Sequence, residues 1–94
     1  MYIIPTSTIS AAGTSVSYNI QSQSVMNNNY ARNMNISNTH ATGKLLVKFS
    51  RDGTSYTSYF TIPAATVVLF TGITTHSITV DADTNGTTYS IAAW

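Results

Sequence analysis

Apolar and polar residues alternate with a period of two along most of the chain, the pattern of half-buried β-strands. Val16, Tyr18 and Ile20 alternate with Ser17 and Asn19, and Leu45, Val47 and Phe49 with Leu46, Lys48 and Ser50. Ile78 and Val80 flank Thr79, and Tyr89 and Ile91 flank Ser90. The run Val67–Phe70 is continuously apolar and predicts a strand covered on both faces or one near a domain edge. Thr and Val abound, and β-branched side chains pack well on a pleated surface. No segment longer than one turn has helical spacing, and neither an internal repeat nor a linker is visible.

Turn signals fall where the strands stop. Asp52-Gly53 lies between "KLLVKFS" and "SYTSYFTI", a hairpin signal, and Asn85-Gly86 separates "SITVDA" from "TTYSIAA". Pro63 ends a strand because it has no N–H to give a ladder. Gly72 is expected to part "TVVLF" from "ITTHSITV". About seven short strands spaced by roughly 8–12 residues predict an all-β antiparallel β-sandwich or small barrel, immunoglobulin-like or jelly-roll-like. Residues 14–94 read as the single sandwich domain. Residues 1–13 read as an N-terminal arm or an edge strand, with Tyr2, Ile3, Ile4 and Pro5 apolar and small polar residues following. Residues 21–43 are the least legible: Met34 and Ile36 suggest a strand, "MNNNY" an exposed loop.

Composition narrows the function classes. In 94 residues, 43% are apolar, enough for a core, whereas only 7% are charged, against the usual figure of about 25%. There is no glutamate; Asp52, Asp81 and Asp83 are the only acids, and Ser, Thr and Asn fill the surface. Arg32, Lys44, Lys48 and Arg51 give a net charge of +1. Four scattered cations cannot neutralise the half-dozen or so phosphates of an ordinary nucleic-acid contact, so no nucleic-acid partner is expected. So weakly charged a protein has little colloidal repulsion from its own copies, which favours a chain held in an assembly. With no cysteine, the domain holds together without disulfides or thiolate metal sites. The start "MYIIPTSTIS" lacks the basic and apolar regions of a signal peptide. No stretch approaches the roughly 18 apolar residues of a membrane span, so no membrane partner is expected.

The nearest thing to a chemical motif is "DADTNG", Asp81–Gly86, which matches the first half of an EF-hand calcium loop. Such a loop needs a bidentate carboxylate at its twelfth position. Counting from Asp81, that position is Ala92. The flanks are strands where an EF-hand has helices. A turn explains the same letters: Asn85-Gly86 tolerates positive φ, and Asp81 and Asp83 can bond nearby backbone N–H groups. No metal site is expected.

Two histidines show no ligand spacing. His76 shares the parity of Ile78 and Val80 and is expected at the rim of the core with its ring partly packed; His40, in "NTHATG", reads as a loop residue. Serines are plentiful, but no G-x-S-x-G elbow is present and so small a domain has little room for a pocket beside its core. No catalytic residue and no cofactor are expected. Six tyrosines raise a sugar-binding reading. By parity, Tyr56 and Phe60 share one strand face and Tyr59 lies on the other, so no stacking platform is evident. Asn35-Ile36-Ser37 and Asn85-Gly86-Thr87 fit the N-glycosylation pattern but carry little weight without a secretory signal.

Strand edges rich in Thr, Ser and Val with few lysines are poorly guarded against pairing with other chains. A permanent neighbour would cover them, and contacts made by hydroxyls and amides depend little on salt. The hairpins "DG" and "NGTTY", the centre "YFTIPAATVV" and the ending "YSIAAW" make residues 44–94 resemble, in style, small virion proteins of tailed bacteriophages, above all capsid decoration (cement) proteins and head-fibre bases. The resemblance rests on no diagnostic motif. It implies a non-enzymatic β-sandwich bound outside a phage head at the junctions of major capsid protein subunits, made in the host cytoplasm and resident in the virion. A tail, baseplate or fibre component is the alternative within that class, and a carbohydrate-binding module for host adhesion the alternative outside it. A homo-oligomer is possible. The apolar chain ends nominate Tyr2, Ile3, Ile4, Pro5 and Trp94 as partner contacts.

Overall fold

The computed structural model describes residues 1–94 and is a sandwich of two four-stranded antiparallel sheets. In chain order the strands are β1 (Tyr2–Ile9), β2 (Val16–Asn19), β3 (Ala31–Asn38), β4 (Leu45–Ser50), β5 (Phe60–Ile62), β6 (Thr66–Thr75), β7 (Ser77–Ala82) and β8 (Thr87–Ala93). Sheet one has the order β1-β8-β3-β6 and sheet two β2-β7-β4-β5. Except for the β4–β5 hairpin, every connection crosses from one sheet to the other. That traffic makes a closed two-layer core out of short strands.

The alternation seen in the sequence sets which face is buried. Ile4 and Ile9 of β1, Met34 and Ile36 of β3, Leu45, Val47 and Phe49 of β4, Ile78 and Val80 of β7, and Tyr89 and Ile91 of β8 all point into one cluster of 17 buried residues. Tyr89 of sheet one reaches across the layers, its hydroxyl 2.6 Å from that of Tyr18 on sheet two. A phenol this deep needs a partner for its polar tip, and Tyr18 supplies it.

Residues 1–13 contribute β1, an edge strand laid antiparallel against β8 from Tyr2↔Ala93 to Ile9↔Thr87, and the turn after it. Residues 21–30 form a loop with a single 3-10 turn, Ser24–Met26, that drops Met26 into the core. Asn27 and Asn28 follow at φ 52° and 60°, the left-handed region that asparagine tolerates best among non-glycine residues.

Of the two readings of Val67–Phe70, the edge position holds: β6 is an edge strand of sheet one. It is not covered on both faces: Val67 and Leu69 are 60% and 56% exposed, while Val68 and Phe70 turn inward. The structure departs from the sequence pattern at two places. Gly72 does not end a strand. At φ 67° it bulges β6, which runs on to Thr75, and the chain changes sheets at His76, whose N–H donates to the Ser50 carbonyl. The strand after Asp52-Gly53 forms late. A bridge between Ser50 and Tyr56, a bond from the Thr57 N–H to the Phe49 carbonyl and one from the Phe49 N–H to Thr57 Oγ1 precede β5, which is three residues long.

Candidate functional site

The segment Asp81–Gly86 is a structural staple. Asp81 Oδ1 accepts the Gly13 N–H at 3.0 Å and the Ala82 N–H at 2.7 Å. Asn85 Oδ1 accepts the Ala12 N–H at 2.7 Å, and the Gly86 N–H donates to the Ile9 carbonyl. Asp83 Oδ1 takes the Lys44 N–H at 2.8 Å and the Thr84 hydroxyl. The Ala82 N–H is the nearby backbone partner expected for Asp81. The other bonds reach further: those of Asp81, Asn85 and Asp83 span 68, 73 and 39 residues, and they tie the β1–β2 turn and the start of β4 to one loop. The oxygens face different strands instead of a common point, and no three His, Asp or Glu side chains stand together as metal ligands.

Asp83 and Asp52 are both held below the usual carboxylate range. For Asp52 the main cause is bonds from the Ser55 and Thr54 N–H groups, with the Ser50 hydroxyl adding to them; for Asp83 it is the Lys44 N–H, then the Thr84 hydroxyl. A depressed folded pKa contributes stability that is present above the unfolded value and lost as pH falls through the folded one. The melting temperature should therefore hold steady at neutral pH and decline below about pH 4. Asp52→Asn should flatten part of that decline in a pH series of thermal melts.

The histidines are occupied structurally. His40 Nδ1 accepts the Gly43 N–H at 2.7 Å and the Thr42 N–H at 3.2 Å, bracing its own loop. His76 is half-buried, its Nδ1 2.6 Å from Ser77 Oγ and its ring tilted against Tyr30. Parity fails for the tyrosines because residues 54–59 are not a regular strand. Tyr56 and Tyr59 lie on the same side, with Lys48 Nζ 5.2 and 4.9 Å from their ring centres. Phe60 instead joins Phe49 and Phe70 in a three-ring cluster, with centroids 5.0–5.8 Å apart.

The outer face of sheet one has no structural partner within the chain. Pairing registers align Ile3, Ala92, Asn35 and Leu69 in one row across all four strands, and Ser90, Ser37 and Val67 in the next. Ile3 and Val67 are each 60% exposed. Between them sits Asn35, whose Oδ1 is buried and has no hydrogen-bond partner. A buried amide oxygen left unpaired is costly, and a donor arriving from outside would satisfy it. Arg32 is the only charged residue in the four strands. By alternation Trp94 continues this face, pinned by a bond from its N–H to the Asn33 carbonyl, while its own carbonyl takes the Arg32 and Asn33 N–H groups.

Of the residues the chain ends nominate, Ile3, Pro5 and Trp94 are exposed. Tyr2 is half-buried against the core, and Ile4 is 2% exposed, inside the core and out of reach of a partner. Strand alternation forces that split: consecutive apolar residues in β1 cannot share a face. Asn35, Val67 and Leu69 escaped sequence reasoning. From Val67 to Phe70 every position is apolar, so nothing in the letters says which two face out.

The strand edges differ in how they are guarded. β1 carries Pro5 and a register break between Ile4 and Ser7, β2 has four residues, and β5 has three with Pro63 after it. β6 presents ten residues without proline or charge. No protein-family model matches the chain, and neither a curated protein nor a solved structure matches it.

Proposed function

We propose that the protein is a non-enzymatic structural subunit of a bacteriophage particle, a decoration protein that sits on the outside of the head and reinforces it. The observation that carries this reading is the outer face of sheet one. An apolar row from Ile3 to Leu69 surrounds an unpaired, buried Asn35 oxygen in a sheet with a single charged residue. A freely diffusing protein gains nothing from such a face, whereas a subunit seated on the major capsid protein covers it. Burial of apolar side chains supplies binding that does not depend on salt, and a donor from the shell to Asn35 Oδ1 fixes the seating. Many copies on a closed shell make modest single contacts effectively permanent. The resemblance of residues 44–94 to phage cement proteins supplies the particle; the face supplies the means of attachment.

The test is reconstitution on heads of the encoding phage. The chain should sediment with full heads at high copy number. The double substitution Ile3→Asp, Leu69→Asp replaces two exposed residues, so it should leave the fold melting within a few degrees of the parent. Bound copies should nevertheless fall at least about tenfold, the cost of burying two unpaired charges being well above the roughly 1.4 kcal/mol that a factor of ten represents. Finding the chain only in tails, or finding the variant bound as well as the parent, would overturn the proposal.

A further inference from the structure

The open side of the sandwich, between β5 and β6, holds a second site. β6 is ten residues long and β5 only three, so the two sheets part company beyond Phe70. The bulge at Gly72, where β6 spends extra residues between Thr71 and Thr75 opposite Asn33–Ala31, keeps both Ile73 and Thr75 on the core side. The result is a cleft of about 360 Å³ lined by Phe49, Phe60, Phe70, Ile73, Arg51 and Thr75, among others. Phe60 is 46% exposed although it belongs to the three-ring cluster at the mouth. Thr75 has no exposed surface, yet its Oγ1 has no hydrogen-bond partner. Two independent observations therefore meet at one place: an apolar cleft and a buried hydroxyl waiting for a partner.

We infer that this cleft, with the adjoining β6 edge, receives an extended segment of a partner protein. The segment adds as a strand beside β6 and places an aromatic or branched aliphatic side chain among the phenylalanines. An added strand alternates its side chains, so every second one points between the sheets, as the cleft requires. Backbone pairing supplies affinity and the cleft supplies specificity. Arg51 is the only charged residue lining the cleft, so the segment is neutral or carries an acid near the inserted residue. One of its peptide groups completes Thr75 Oγ1. The β6 strand of a second copy does not fill the cleft, because its inward residues, Val68 and Phe70, are already packed against its own core. The inference rests on the reading of the chain as an assembly subunit, but it concerns a different surface from the outer face of sheet one.

The experiment is an NMR titration of the isolated protein with a synthetic eight-residue peptide. Its alternate residues are isoleucine and phenylalanine separated by threonine, with one aspartate near the end; a control peptide has serine at every apolar position. Saturable shifts are expected at residues 66–75, Phe49 and Phe60, and none with the control. Thr75→Val, an isosteric change, should raise the melting temperature by about 4 °C or more by removing a buried unpaired hydroxyl. It should also weaken the peptide several-fold. Phe60→Ser, at an exposed position, should weaken it about tenfold or more. Absence of shifts at about 1 mM peptide, binding indifferent to both substitutions, the same shifts on self-association, or the same shifts with neutral oligosaccharides would each sink the inference. Peptide failure beside intact head binding through Ile3 and Leu69 removes the cleft alone. Peptide binding without head association removes the decoration role alone.

Discussion

Asn38→Ala should cost about 4 kcal/mol of folding stability, the largest loss from any single polar side chain in the molecule. Asn38 is 2% exposed at the end of β3. The two hydrogens on its Nδ2 are shared among the carbonyls of Gly43 at 2.8 Å, Pro63 at 3.0 Å and Ile62 at 3.1 Å, and its Oδ1 accepts the His40 N–H at 3.0 Å. One amide thereby joins the end of β3, the loop into β4 and the turn after β5. Truncation removes both donors and the acceptor at once, each buried bond lost costing about 1–3 kcal/mol, and water entering the vacated space recovers part of that. A domain of this size holds only about 5–14 kcal/mol in total. The melting temperature should fall by roughly 15 °C or more. Asn38→Asp should be at least as damaging, because a carboxylate offers those carbonyls no donor and buries a charge among them. Urea titrations give the answer: a lower midpoint with an unchanged slope is expected. A loss under about 1 kcal/mol would mean that these bonds are replaceable and that loops, not Asn38, hold this corner.

Asn38 also marks where the sequence could and could not be read. The all-β class, the two-layer packing and most strands follow from period-two alternation, because a strand with one buried face has almost no freedom to disguise it. β4 and β8 are of that kind; β7 alternates in its letters as well, although all six of its residues are buried. β3 is not of that kind, although it is central in sheet one. Its inward residues are Ala31, Met34, Ile36 and Asn38, broken by a register shift between Ala31 and Asn33 and ended by a buried amide. A bulge erases parity, and a buried asparagine looks like a loop. β6 fails in the opposite way, being apolar on both faces, so its exposed Val67 and Leu69 are indistinguishable by letter from the inward Val68 and Phe70. The candidate contact surface needs exactly that distinction of faces, and the cleft needs the short β5 and the bulge at Gly72 besides. Turn chemistry was legible as turns at Asp52-Gly53 and Asn85-Gly86, but the partners of Asp81 and Asn85 lie at sequence distances that no local pattern encodes.

The second large effect belongs to Tyr89. It heads the fully buried side chains by volume, in a strand at the middle of sheet one, and its hydroxyl meets that of Tyr18 across the layers. Tyr89→Ala should lose about 4–5 kcal/mol, the range for emptying an aromatic site in a core that cannot collapse around it. That leaves the protein marginally folded at 25 °C. Tyr89→Phe keeps the ring and should cost only about 1–2 kcal/mol, chiefly the orphaned Tyr18 hydroxyl. The two variants together separate packing from the hydrogen bond. The pH dependence separates them further. Burial first, and the bond to Tyr18 second, push the Tyr89 phenol well above its ordinary value of 10.0. A raised folded pKa means that the unfolded chain releases its proton first. The contribution is therefore complete below pH 10 and is lost as pH climbs beyond it, by up to about 1.4 kcal/mol per unit. Thermal melts from pH 8 to 11 should show the parent protein losing stability faster than Tyr89→Phe, so that the gap between them narrows and can reverse. Parallel curves would mean that the Tyr89 phenol ionises as readily folded as unfolded, and that the Tyr18–Tyr89 bridge is open to water.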